Sequence, residues 1–112
     1  MAAGYLNLYL DKGTTFSTTI TLDDVYGNNY NLTNMSCNSQ IRKSYYSSNA
    51  TAQFTTVINI PSGTITLELS ANTTANIASG RYVYDTFITD TNTMVKTKIL
   101  EGILDVAPSV TR

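Results

Sequence analysis

Apart from its tyrosines, the chain's ionisable chemistry is eight carboxylates, seven cationic side chains, one thiol and no histidine in 112 residues. The missing imidazole removes the commonest general base near neutral pH and the commonest transition-metal ligand. Cys37 has no second cysteine for an intrachain disulfide and no histidine to activate it, so a buried structural thiol is expected. Asp23 and Asp24 are the only adjacent carboxylates. With Asn28 and Asn29 they could supply some of the six to eight oxygens a calcium ion takes. Those are also the residues a turn around Gly27 uses for its local hydrogen bonds, and the turn is the preferred reading. Six scattered glycines form neither GxGxxG nor GxxxxGK[ST], so nothing cradles a phosphate. The sequence therefore predicts no catalytic residue, no metal site and no cofactor.

Aromatic residues remain. Tyr26 and Tyr30 flank a turn, and Tyr45 and Tyr46 stand in the aperiodic SYYSSNA segment. Outside clear core positions, such rings can stack on a sugar or a base, anchor a protein interface, or lie half-buried with the hydroxyl in water. Half-burial is the simplest outcome. Among the functional options the low charge of the chain favours a protein interface over a ligand.

The elements that hold these residues are strands. Thr, Ser and Asn supply 40 of the 112 residues, a bias toward pleated strands and turns and hence toward an all-β domain. Residues 15–22 alternate strictly, with Phe16, Thr18, Ile20 and Leu22 on one face. Residues 5–10 (YLNLYL), 36–43, 53–60, 64–70, 81–89 and 95–106 read as further strands, and Tyr30-Asn31-Leu32 as a short extended piece. In 36–43 the alternation points Cys37, Ser39 and Ile41 one way and Asn38, Gln40 and Arg42 the other. For 53–60, Phe54 and either Val57 or Ile58 are the core candidates. Residues 71–77 read as one helical turn capped by a threonine, with Ile77 inward. Gly102, inside the last strand, marks a bulge or a close backbone approach.

About seven antiparallel strands in two sheets make an immunoglobulin-like β-sandwich, in one domain spanning residues 1–112. Ile77, Gly80, Tyr82 and Tyr84 have the spacing of its tyrosine corner, in which a tyrosine hydroxyl bonds back to the corner backbone.

A net charge of −1, with basic residues clustered no further than Arg42-Lys43 and the Lys96/Lys98 pair, gives no footprint for nucleic acid. No apolar run approaches the ~20 residues of a membrane helix. The N-terminus lacks the basic-then-apolar pattern of a secretory signal, and with Met1 in place a complete product kept inside the producing cell is expected.

The chain resembles small structural proteins of tailed bacteriophages, from virion, tail or baseplate gene modules. The residues that carry the likeness run nearly its full length: Gly13-Thr14-Thr15-Phe16, Ile20-Thr21-Leu22, Gly27, Asn31-Leu32-Thr33, Ile41-Arg42-Lys43 and Gly63-Thr64-Ile65-Thr66-Leu67, then Thr74-Ala75 and Leu100-Glu101-Gly102. Gly80-Arg81-Tyr82-Val83-Tyr84-Asp85 and the terminal Val106-Ala107-Pro108-Ser109-Val110-Thr111-Arg112 complete it, with Tyr82-Val83-Tyr84-Asp85 and the stretch from Pro108 to Arg112 its most specific parts. Asn31 stands where Asp is common in that pattern, and Asn34 where Gly is common. The resemblance implies a non-enzymatic virion component, made in the host cytoplasm. Its partners would be copies of itself and other virion proteins, with no nucleic acid and no membrane. An alternative is a carbohydrate- or host-receptor-binding module that uses Tyr26, Tyr30, Tyr45 and Tyr46 as stacking platforms.

Overall fold

A computed structural model describes residues 4–22 and 32–108. The Asp23-Asp24 turn, Tyr26, Tyr30 and residues 109–112 lie outside them. In chain order the strands are β1 (Gly4–Tyr5), β2 (Leu8–Asp11), β3 (Phe16–Thr21), β4 (Met35–Arg42), β5 (Ala52–Gln53), β6 (Thr55–Asn59), β7 (Thr64–Leu69), β8 (Gly80–Asp90) and β9 (Lys96–Ala107). One short helix, α1 (Ala71–Ala75), follows β7. Two sheets pack face to face as a β-sandwich. The larger has the order β1-β9-β8-β4-β5 with β2 also on β9, and the smaller is β3-β7-β6.

Among the described residues the strands, counted as continuous runs, number seven, since two of them break in mid-course. Residues 53–60, expected as one strand, change sheets at Phe54: β5 pairs with β4, whereas β6 pairs with β7. Phe54 is buried at that crossing, edge-on to Tyr84 with ring centroids 6.0 Å apart. Beyond it the register turns Ile58 toward the core and leaves Val57 outside.

The second break is in the N-terminal strand, and here the antiparallel expectation fails. Both β1 and β2 run parallel to β9. Period-two alternation carries no sign of strand direction, and strands from opposite ends of a chain can pair in parallel because the whole domain serves as their crossover. Between β1 and β2 the Leu6 carbonyl dips over Gly102, where an added Cβ would overlap its oxygen and lie 2.8 Å from its carbon. The Tyr84 hydroxyl donates to that carbonyl at 2.5 Å, and the Asn7 side chain accepts from the Ile103 amide at 3.3 Å. Gly102 thus marks a close backbone approach. The bulge in β9 falls earlier, at Ile99, where the β8–β9 register shifts between Thr86 and Phe87.

Alternation sets the remaining faces. Tyr82, Tyr84, Thr86 and Ile88 of β8, Ile65, Leu67 and Leu69 of β7, and Ile41 of β4 are buried between the sheets. Ser39 and Thr86, the polar intruders, bond to each other at 2.9 Å, and Ser39 also donates to the Asp85 carbonyl. The helical turn is capped by Ser70, whose side chain accepts from the Thr73 amide; the expected threonine cap is displaced by one that begins the turn earlier. Thr74, fully buried, accepts from the Gly13 amide at 3.1 Å and donates to the Thr14 carbonyl at 2.7 Å. It ties α1 to the turn that launches β3. Ile77 is buried beside it, and the Tyr82 hydroxyl donates to the Ala78 carbonyl at 2.6 Å, the return bond of a tyrosine corner. Gly80, at φ 143°, gives β8 an entry that a side-chain-bearing residue rarely adopts.

Candidate functional site

The chemistry this fold puts into water is concentrated on the outer face of the larger sheet. Pairing fixes its rows. Gln40, Asp85, Glu101 and Tyr5 lie side by side across β4, β8, β9 and β1. Arg42, Val83 and Ile103 form the next row, and Arg81, Asp105 and Tyr9 another. Asn38, Phe87 and Lys98 continue on the other side. The result is an apolar centre, Val83 and Ile103, ringed by aromatic rings and by charges of both signs. Tyr5 and Tyr9 are 63% and 73% exposed, large rings left in water on the sheet.

Within this face a shallow cleft of about 300 Å³ is lined by Asn38, Gln40, Arg42, Asp85, Phe87 and Lys96. A smaller one of about 100 Å³ shares Gln40, Arg42 and Asp85 and is walled by Tyr45. Arg42 is held in place by donating to the Gln40 side chain at 2.8 Å and to the Ser47 carbonyl at 2.9 Å. The Lys96 and Lys98 ammonium groups each sit 5.7 Å from the centre of the Phe87 ring. Arg81 and Asp105 form a cross-strand ion pair at 3.2 Å, and Lys98 reaches Glu101 at 3.9 Å.

Asp85 is the unusual member. Burial pushes its carboxyl above the ordinary aspartate value; Lys98 and Arg42 pull it back, and Glu101 opposite adds to the rise. The arrangement offers planar hydrogen-bonding groups, cations and rings on an open surface. That is chemistry for recognition. Among the described residues no group of three or more His, Cys, Asp or Glu side chains converges as a metal would need, and no helix is long and apolar enough to cross a membrane.

Of the four tyrosines singled out in the sequence, Tyr45 and Tyr46 are exposed, at 58% and 96%, and Tyr26 and Tyr30 fall outside the described residues. Of the two that are described, Tyr45 lines a cleft. Sequence reasoning missed Tyr5 and Tyr9 as exposed rings, although the signal was present: alternation in YLNLYL sends Leu8 and Leu10 inward and therefore the tyrosines out. Ile77, Gly80, Tyr82 and Tyr84 are structural. Tyr84, buried and bonded to Leu6, has its phenol pushed up to about 12, first by burial and then by Tyr5. Cys37 is half-buried, and burial raises its thiol to about 11 against the opposing pull of Thr56, so it stays protonated at neutral pH.

No family model matches this chain, and no curated protein matches it. Its fold is similar to part of the crystal structure of Listeria monocytogenes InlP, with a TM-score of 0.55 and 18% identity. The match covers 94% of this chain and 27% of that one, so this chain spans about a quarter of its structural neighbour. At that identity the likeness speaks to the sandwich alone.

Proposed function

We propose that this chain is a non-enzymatic structural or assembly module of a bacteriophage particle, an immunoglobulin-like sandwich that works through protein–protein contact on the outer face of its larger sheet. The observation that supports the contact role is the exposure of Tyr5 and Tyr9 on the same sheet face as Arg42, Arg81 and the apolar Val83–Ile103 centre. Tyrosine and arginine around a small apolar patch are the residue types that dominate binding energy at protein interfaces. The phage assignment rests on the sequence resemblance, most specific in Tyr82-Val83-Tyr84-Asp85 and in the ending from Pro108. Its partners in this reading are other virion proteins and further copies of the chain, and its location is the virion. Quantitative mass spectrometry of purified particles is the test. A fixed copy number per particle is expected, and absence from particles would overturn the reading.

One observation favours a second reading, a carbohydrate- or host-receptor-binding module. Asn38, Gln40, Arg42 and Asp85 line a cleft next to Phe87 and Tyr45, the pairing of planar polar groups with rings that sugars take. A glycan array separates the two: a hit that disappears in Asp85→Ala and Tyr45→Ala selects the glycan reading.

A further inference from the structure

The smaller sheet ends in a strand whose outer edge has no partner among the described residues, and the groups along that edge are complementary to themselves. The Leu22 amide donates to the Gly63 carbonyl at 2.9 Å, extending the β3–β7 ladder in which Phe16, Thr18 and Ile20 face Leu69, Leu67 and Ile65. In an antiparallel pair the residues that exchange hydrogen bonds alternate with those whose N–H and C=O point the other way. Even-numbered residues of β3 therefore bond to β7. Ser17, Thr19 and Thr21 present their amides and carbonyls outward.

The other sheet edges are managed differently. On the β6 side the Phe54 amide and the Thr56 hydroxyl bond to the Ser39 and Cys37 carbonyls of β4, which closes the sandwich there. The β1–β2 edge is broken at Leu6 and Asn7 and carries Asp11. By contrast β3 reads FSTTIT, six uncharged residues without proline or interruption, and Thr74 holds the turn that starts it. Charge, proline and irregularity are what proteins use to keep an edge single, and β3 has none of them.

We propose that β3 pairs antiparallel with β3 of a second copy about a two-fold axis at Thr19, joining two three-stranded sheets into one of six. Parity and the use of every outward group within the strand together select that register. Outward-pointing residues must meet outward-pointing residues, and centring on Thr19 sets Thr19 against Thr19, Ser17 against Thr21 and Thr21 against Ser17. All three outward donors and all three acceptors of each strand are then used. The same register faces Phe16 with Leu22 and Thr18 with Ile20, which continues the half-covered inner face of each sheet, and it lays the uncharged Ser17, Thr19 and Thr21 side chains beside their own kind. Nothing repels. Two-fold, self-complementary contact is the commonest way a chain meets its copy. The inference deepens the assembly role proposed above by naming one of its contacts.

Sedimentation and cysteine cross-linking test it. The wild-type chain is expected to sediment as a concentration-dependent dimer. Under mild oxidation Thr19→Cys should form a disulfide-linked dimer, since the two positions are direct partners within disulfide reach. Ser17→Cys alone should stay unlinked but link when mixed with Thr21→Cys; the wild type, with Cys37 only, is the blank. Thr19→Pro removes an outward N–H without touching the β3–β7 ladder, and Thr19→Lys opposes two ammonium groups across the axis. Both are expected to be folded monomers, and if the proline variant unfolds the lysine variant decides. A wild type that is monomeric at every concentration, a dimer indifferent to both Thr19 variants, or Ser17→Cys linking as well as Thr19→Cys would each overturn the pairing. A monomer still found in purified particles would overturn this contact and leave the particle role standing; a Thr19-dependent dimer absent from particles would do the reverse.

Discussion

The two sheets are built on opposite terms. The larger one is irregular: its first strand is parallel and broken, its last is bulged at Ile99, and Gly102 admits the Leu6 carbonyl. The break at Leu6 and Asn7 is fastened by two polar contacts, the Tyr84 hydroxyl on Leu6 and the Asn7 side chain on the Ile103 amide, and the Ser39–Thr86 pair ties β4 to β8. The smaller sheet pairs β3, β7 and β6 without a shift, and its outer face is Ser17, Thr19, Thr21, Thr64, Thr66, Glu68, Thr55, Val57 and Asn59. Irregularity with dedicated fasteners gives a sheet that is interrupted at its margin and varied on its face. Regularity leaves an open edge and a uniform one.

If that contrast holds, substitutions of similar size should cost unlike amounts in the two sheets. Gly102→Ala is the severest, because the new methyl meets backbone that Tyr84 and Asn7 hold in place. Overpacking of this kind costs about 1–3 kcal/mol, seen as a lower midpoint in thermal or urea unfolding. Tyr84→Phe removes the fastener itself and leaves the Leu6 carbonyl to other donors, at about 1–3 kcal/mol. Thr66→Val, in the middle of the smaller sheet's outer face, loses only an exposed hydroxyl contact to Thr19 at 3.1 Å and should stay within about 0.5 kcal/mol of wild type. A Thr66→Val cost as large as that of Tyr84→Phe would erase the distinction.

The smallest effect is a pH dependence. The Asp85 carboxyl titrates above its unfolded value of about 3.9. Between the two values the folded state holds the proton more tightly, so stability from this residue falls as pH rises through that window. Ionised Asp85 is therefore mildly unfavourable at neutral pH. The difference in melting temperature, Asp85→Asn minus wild type, is expected to be positive at pH 7 and to shrink below pH ~4. A difference that grows on acidification would contradict the assignment to burial.

Most of the sandwich was legible because alternation encodes which side of a strand is buried, and β4, β7 and β8 follow it residue by residue. Alternation does not encode direction or partner. Nothing in YLNLYL tells a parallel strand from an antiparallel one, and nothing in QFTTVINI shows that Phe54 is a hinge between sheets. Asn34 was readable only as a departure from a glycine. At φ 61°, in the turn closed by the Met35 amide on the Leu32 carbonyl, it supplies the left-handed conformation that Gly or Asn best tolerates. The candidate face was the least legible part, since its members come from five strands and a loop that only the register brings together.

The central claim, that this chain works through the outer face of the larger sheet, is tested most directly by particle incorporation of a Tyr5→Ala/Tyr9→Ala variant beside Val57→Ala. Val57 is also exposed, at 49%, but lies on the smaller sheet. Quantitative mass spectrometry of purified particles should show the double variant lost and Val57→Ala retained at wild-type copy number, with both proteins folded. Incorporation of the Tyr5→Ala/Tyr9→Ala variant at wild-type copy number would contradict the account.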